Sequence, residues 1–142
     1  MTKRLVATAT VAVLLLAGAP RARADEATAI ARAAGMWLGT ILVKGFSGFA
    51  REDSGVLRPG QFYRYPVTLY RGRRYALFAA GDNNINDLDV YLYDEDGDLV
   101  VSDDARDNMP GVFFAPAYSG LYYLVVLNYD GDRGWYHMAI AY

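Results

Sequence analysis

Short segments with the period of a β-strand, separated by turn residues, occupy the chain from Gln61 to its end. In residues 62–70 apolar and polar side chains alternate, which is the pattern of a half-buried strand. Similar segments follow at short intervals, separated by clusters of Gly, Asp and Asn. Many short strands joined by such turns predict an antiparallel β-sandwich or barrel.

The composition of individual segments predicts their places in a sheet. Residues 121–127 are apolar on both faces, which predicts a central strand, whereas Pro66 lacks a backbone N–H and predicts an edge strand. Asp96 and Gly97 predict a tight reversal. About seven strands are expected after Gln61, covering residues 62–70, 74–80, 88–93, 99–101, 112–116, 120–127 and 135–141.

Tyrosine is abundant, with 12 residues, and most of them fall in these segments. We expect them to pack on the pleated strand surfaces with their hydroxyls at the rim. A platform on which sugars stack is the alternative.

The N-terminus has the pattern of a secretory signal peptide. Lys3 and Arg4 precede an apolar run over residues 5–19, and Ala22 and Ala24 supply the small residues of a cleavage site. The run is short for a membrane span, which needs about 20 apolar residues. We therefore predict a signal peptide at 1–24 and a secreted or periplasmic protein, without membrane association after cleavage.

Removal of that signal would make the chain distinctly acidic. Four of the 14 Lys and Arg residues would leave while all 16 Asp and Glu remain, which changes the formal charge from −2 to −6. Such a charge repels phosphate backbones, so we expect no nucleic-acid partner. The chain has no cysteine, which excludes disulfides and a thiol nucleophile.

Two segments separate the signal from the strands. Residues 25–50 carry apolar side chains at helical spacing and predict a helical segment that either packs on the domain or precedes it loosely. Residues 51–60, which end in Pro59 and Gly60, are rich in turn formers and predict a linker. The β domain is accordingly expected at 61–142.

The strand region resembles the bacterial pre-peptidase C-terminal domain, a jelly-roll-like β-sandwich found in secreted proteases. The resemblance implies about seven to eight strands, an extracytoplasmic location, no catalysis and, in collagenase-type members, calcium-dependent binding of the substrate. Those domains usually follow a protease, and the residues before Gln61 are too few to form one. The segments that carry the resemblance are 61–67, 74–77, 86–94, 97–104, 119–126 and 135–138, above all the Asp-x-Asp of Asp87 and Asp89 and the later Gly-x-Tyr-Tyr-x-Val-Val from Gly120.

Catalytic motifs are sparse. His137 is the one histidine, and a serine triad would require it to lie beside Ser47, Ser54, Ser102 or Ser119. None of these serines occurs in a Gly-x-Ser-x-Gly elbow. We therefore expect a structural histidine and no enzyme.

An acidic cluster is the sharpest chemical signal. Ten Asp and Glu residues lie between Asp82 and Asp107, with Arg106 the one cation among them. Oxygen ligands in such excess suit calcium. Asp and Asn are also the residues that turns favour, so solvated turns are the alternative, and Asp89 could instead accept hydrogen bonds from loop amides. The candidate calcium ligands are Asp82, Asn84, Asp87, Asp89, Asp103, Asp104 and Asp107.

Together these patterns predict a non-catalytic binding or accessory module that binds a protein or a polysaccharide. Calcium is the candidate cofactor that would stabilise it. The alternative is a structural protein docked to the cell envelope through its N-terminal helical segment.

Overall fold

The computed structural model describes residues 21–142. The predicted signal peptide at 1–24 falls almost entirely outside them and stays a prediction. In chain order the elements are α1 (Arg21–Lys44), β1 (Phe49–Leu57), β2 (Phe62–Leu69), β3 (Tyr75–Gly81), β4 (Ile85–Asp94), β5 (Leu99–Asp103), β6 (Gly111–Phe114), β7 (Gly120–Gly131) and β8 (Gly134–Ala141).

The eight strands of the described residues form two antiparallel four-stranded sheets. Sheet I has the order β1-β8-β3-β6 and sheet II the order β2-β7-β4-β5, which is the arrangement of a jelly roll. The predicted all-β sandwich is therefore confirmed. β7 lies inside sheet II and β2, with Pro66, lies at its edge, as the composition of both strands indicated.

The main core lies between the two sheets. Leu88, Val90 and Leu92 of β4 alternate inward and are fully buried, and the inward residues of β7 and β8 meet them. Tyr65 and Tyr136 connect the sheets through a hydrogen bond between their buried hydroxyls. This bond fixes β2 of sheet II to β8 of sheet I across the core.

Helix α1 covers the outer face of sheet I. Ala33 belongs to one buried cluster with Ala76, Phe78 and Ala139 of the strands, and the alanines of these strands let the helix approach closely. The Arg32 Nη1 also donates a hydrogen bond to the Gly81 carbonyl over 2.7 Å. As a result every residue of β3 is buried, because one face meets sheet II and the other meets α1.

The helix ends earlier than the sequence predicted. Gly45 has a φ of 75°, and its N–H bonds to the Ile41 carbonyl over 3.2 Å, so the helical path stops after Lys44 instead of reaching residue 50. Within residues 21–142, no helix combines the length and apolar character that a membrane crossing requires.

The linker predicted for residues 51–60 is wrong for most of its length. Residues 49–57 form β1, an edge strand that pairs with β8 from Phe49 opposite Ala141 to Leu57 opposite Gly134. The polar sequence hid this strand because only Leu57 is fully buried, and the other side chains are half-buried or exposed. The sandwich therefore begins at Phe49 and not at Gln61.

Candidate functional site

Three loops meet at one end of the sandwich, and we call residues 82–84, 103–110 and 129–133 the acidic pole. The Asp132 N–H bonds to the Asn84 carbonyl over 2.7 Å, and the Gly81 N–H bonds to the Asn108 carbonyl over 2.8 Å. The turn at residues 94–98 lies at the other end of β4. Of the candidate ligands, Asp82, Asn84, Asp103, Asp104 and Asp107 belong to the acidic pole, and Asp87 and Asp89 enter it from β4.

Asp82 is a structural anchor for the loop between β3 and β4. Its carboxylate is fully buried and accepts hydrogen bonds from the Asn84 and Trp135 N–H groups, both over 2.9 Å. The Asn84 Nδ2 adds a third bond to Asp82 Oδ2 over 3.2 Å. Because these bonds occupy the carboxylate, Asp82 and Asn84 fasten the loop to the start of β8 and have little capacity left for a cation.

Asp103 and Asp107 stabilise the loop between β5 and β6. Asp103 Oδ1 accepts from the Ala105 N–H over 3.2 Å and Oδ2 from the Gly111 N–H over 2.9 Å. Asp107 Oδ1 accepts from the Met109 N–H over 2.8 Å. These are the local bonds by which Asp residues favour turns, and they match the turn alternative for both residues.

Asp87 and Asp89 have a different environment. Their side chains are 6% and 2% exposed, and Oδ1 of each has no hydrogen-bond partner. Asp89 Oδ2 accepts a bond from the Tyr91 hydroxyl over 3.0 Å, and not from loop amides. A buried carboxylate oxygen without a partner is costly, so this pair on β4, beside the acidic pole, is the position best suited to a ligand.

The pKa values of the Asp87 and Asp89 carboxyls are both raised above the ordinary value. Burial raises the pKa of Asp87, and Asp130, Asp107 and Asp104 raise it further, although the Arg106 guanidinium acts in the opposite direction. Burial raises the pKa of Asp89 as well, against the lowering effect of the Tyr91 hydroxyl, with Asp87 and Asp104 adding to the rise. Burial and the bond to Asp89 raise the pKa of Tyr91 to about 12. Burial is therefore the main cause of the raised pKa of both carboxyls, and the neighbouring carboxylates act in the same direction.

A complete metal site is not assembled in this conformation. Within residues 21–142 no group of three or more His, Cys, Asp or Glu side chains has the arrangement to hold a metal ion. Asp87 and Asp89 supply two free buried oxygens, and Asp104 is exposed beside them. A cation bound here would need water or loop oxygens to complete its coordination.

Asn128 is a structural residue of this region that the sequence analysis did not single out. Its fully buried side chain donates to the Leu57 and Asp132 carbonyls over 3.2 and 2.9 Å, while its Oδ1 has no partner. The signal was available in the sequence, because Asn128 continues the inward positions occupied by Leu124 and Val126. A polar residue at a core position of a strand calls for such partners.

Sheet I carries a second polar cluster, which contains the one histidine of the chain and one of its four serines. Ser54 and His137 face each other on β1 and β8, and Ser54 Oγ lies 2.7 Å from His137 Nδ1. Glu52 Oε1 lies 3.6 Å from Nε2 of the same ring. Catalysis by such a serine requires N–H donors that converge on an oxyanion, and the Ser54 N–H already bonds to Asp53 Oδ1 over 2.8 Å. We interpret the three side chains as a polar link between an edge strand and its neighbour.

Comparison with protein families gives a partial match. The model of the Major fimbrial subunit protein (FimA) family matches residues 67–128, which is less than half of the chain. No curated protein matches the sequence.

Solved structures give a fuller match. The pre-peptidase C-terminal domain of a collagenase from Bacillus anthracis has 22% sequence identity and a TM-score of 0.55, and the match covers 66% of this chain and 90% of that one. The periplasmic inhibitor of g-type lysozyme from Aeromonas hydrophila, PliG, has 11% identity and a TM-score of 0.49 over 67% of this chain and 87% of that one. The match to the collagenase domain shows that the chain has the fold of a pre-peptidase C-terminal domain, as its sequence predicted.

Proposed function

We propose that this chain is an exported, non-catalytic binding module whose ligand is an extended protein segment. The single observation that supports this most is the asymmetry of the sandwich, since α1 covers sheet I while the outer face of sheet II carries no helix of the described residues. An uncovered sheet with aromatic side chains is a surface on which a ligand can lie.

The outer face of sheet II has suitable chemistry. Tyr93 of β4 is the register partner of Tyr123 of β7, and both rings are half-buried. The Arg64 guanidinium lies 4.8 Å from the centre of the Tyr123 ring, and Tyr91 lies on the same face. Tyrosine and arginine contribute strongly to protein interfaces, because they combine contact area with hydrogen bonding.

The similar domain from Bacillus anthracis belongs to a collagenase, which favours a protein ligand over a polysaccharide. The same likeness supports a secreted or periplasmic location and agrees with the predicted signal peptide.

We further propose that calcium binds at Asp87 and Asp89. Their unpaired oxygens fit a hard cation, and Asp104, an exposed carboxylate that interacts electrostatically with both, could join them. A divalent ion would remove the repulsion among the grouped carboxylates and replace the missing hydrogen-bond partners. Asp82, Asn84, Asp103 and Asp107 would hold the loops in position around it.

The test is retention of the purified protein on an immobilised collagen-like triple-helical peptide, a linear control peptide and cell-wall glycan, each with calcium and with EGTA. We expect retention on a peptide, strongly reduced by Tyr123→Ala. The control variant is Tyr70→Ala, which removes an exposed ring from the turn after β2. Retention on the glycan alone would replace the protein ligand with a polysaccharide, and retention on none of the three would overturn the binding function.

A further inference from the structure

An apolar groove runs between α1 and the β3-β6 side of sheet I. Its cavity has a volume of about 410 Å³, which is within the range of small-molecule sites, and Met36, Phe78, Met109, Val112 and Phe113 are among its apolar lining residues. Met109 and Phe113 are 45% and 55% exposed, so they border an opening to solvent. The two methionines are flexible side chains that adapt to an apolar ligand.

The groove is lined by one positively and one negatively charged residue, Lys44 and Asp103, which lie on different elements. Lys44 lines it at the end of α1, with Nζ 5.5 Å from the centre of the Phe113 ring. A second cavity of about 290 Å³ shares Lys44 and Phe113 and adds Arg74, whose Nη2 donates to the Lys44 carbonyl over 3.3 Å. Asp103, which also lines the groove, is at the end of β5. A ligand with an anionic group would therefore be attracted to Lys44 and Arg74.

We propose that this groove binds a single-chain amphiphile, with its apolar tail between α1 and β6 and its anionic head beside Lys44 and Arg74. The apolar lining removes the tail from water. The two cations favour an anionic head and orient the amphiphile, so that its head lies beside them. This site lies on sheet I and is independent of the protein-binding face proposed on sheet II.

Glycines on α1 provide a matched pair of variants. Gly39 lines the groove, and a Cβ placed there meets no atom within 4 Å, so Gly39→Leu fills the space without a clash of its own Cβ. Gly35, one helical turn earlier, has the same free surroundings and is not among the residues that line the groove. Gly35→Leu therefore changes helix propensity equally and leaves the groove open.

The experiment is calorimetric titration of the purified protein with tetradecanoate below its micelle concentration, alongside tetradecyltrimethylammonium, which has the same tail length and a cationic head. We expect one tetradecanoate per chain and weaker binding of the cation. Gly39→Leu should weaken tetradecanoate by about tenfold, or ~1.4 kcal/mol, whereas Gly35→Leu should not. Lys44→Gln should reduce the preference for the anion, and Arg58→Gln, at the far end of β1, should leave it unchanged.

Three results would overturn the proposal: no binding of tetradecanoate, equal binding by the Gly39→Leu variant, or equal affinity for the two head groups. A sedimentation assay with anionic phospholipid vesicles identifies the source of the amphiphile. Binding to vesicles without binding of free tetradecanoate would assign the exposed apolar residues to a membrane surface and would also reject the proposed site.

Discussion

The Tyr91 hydroxyl donates a hydrogen bond to Asp89 Oδ2 over 3.0 Å, while Asp89 Oδ1, equally buried, has no partner. Three buried side-chain atoms of the described residues share that condition, and the other two are Asp87 Oδ1 and Asn128 Oδ1. All three belong to one stretch of β4 and β7, where Leu88 is the partner of Asn128 and bulges interrupt the register. The unpaired atoms are therefore concentrated beside the acidic pole.

The first prediction concerns pH. Burial raises the pKa of Asp87 and Asp89 in the folded state above the ordinary value of 3.8. Below that ordinary value both carboxyls are protonated in the folded and the unfolded chain, and the fold is then most stable. As the pH rises through the raised folded-state pKa values, the buried carboxyls must ionise, and the free energy of unfolding falls. In EDTA, the Asp87→Asn/Asp89→Asn variant should therefore gain stability relative to the parent chain between about pH 4 and pH 7.

Urea denaturation of both proteins at the two pH values measures this difference. The comparison between parent and variant cancels the contributions of the other carboxylates, which both chains share. A difference in the free energy of unfolding that does not change with pH would show that the two carboxyls have ordinary acidities.

The second prediction concerns Asp82. Asp82→Ala should lower the free energy of unfolding by about 2–3 kcal/mol, because it leaves the Asn84 and Trp135 N–H groups without their acceptor. Asp96→Ala, at an exposed position in the turn of the opposite end, should change it by less than about 0.5 kcal/mol. Chemical denaturation of the two variants gives the comparison, and similar values would contradict the anchoring role of Asp82.

The third prediction concerns the docking of α1. Ala33 is 2% exposed against sheet I, so Ala33→Glu would bury a charge without a partner and should cost at least about 2 kcal/mol. Ala31→Glu, two residues earlier on the exposed side, should have little effect. Equal unfolding free energies for the two variants would indicate that the helix is loosely attached, as an envelope-docking segment would be.

The sequence predicted the sandwich well because its inward side chains alternate clearly. Residues 121–127 and Pro66 identified a central and an edge strand, and the jelly-roll order came with the family resemblance. β1 was not predicted, because an edge strand with Glu52 and Asp53 exposed shows little alternation of apolar and polar side chains. Its pairing depends on β8, which is distant along the chain.

The candidate site was less accessible to sequence reasoning. Asp82 and Asp89 look alike in a run of turn residues, but the structure gives the first a full set of donors and the second an unpaired oxygen. That distinction arises from loops far apart in sequence, such as the bond between Asp82 and Trp135. The apolar groove likewise required the position of α1 on sheet I, which periodicity alone left open.

The measurement that tests the calcium site most directly is thermal unfolding of the purified protein during a calcium titration. Calcium should raise the melting temperature and EGTA should lower it, with a gain of roughly 2.7 kcal/mol at concentrations 100-fold above Kd. The Asp87→Asn/Asp89→Asn variant should lose this response, and Asp96→Asn should keep it. An unchanged melting temperature at millimolar calcium, or an equal rise in the Asp87→Asn/Asp89→Asn variant, would contradict the proposal that these two carboxylates hold the ion.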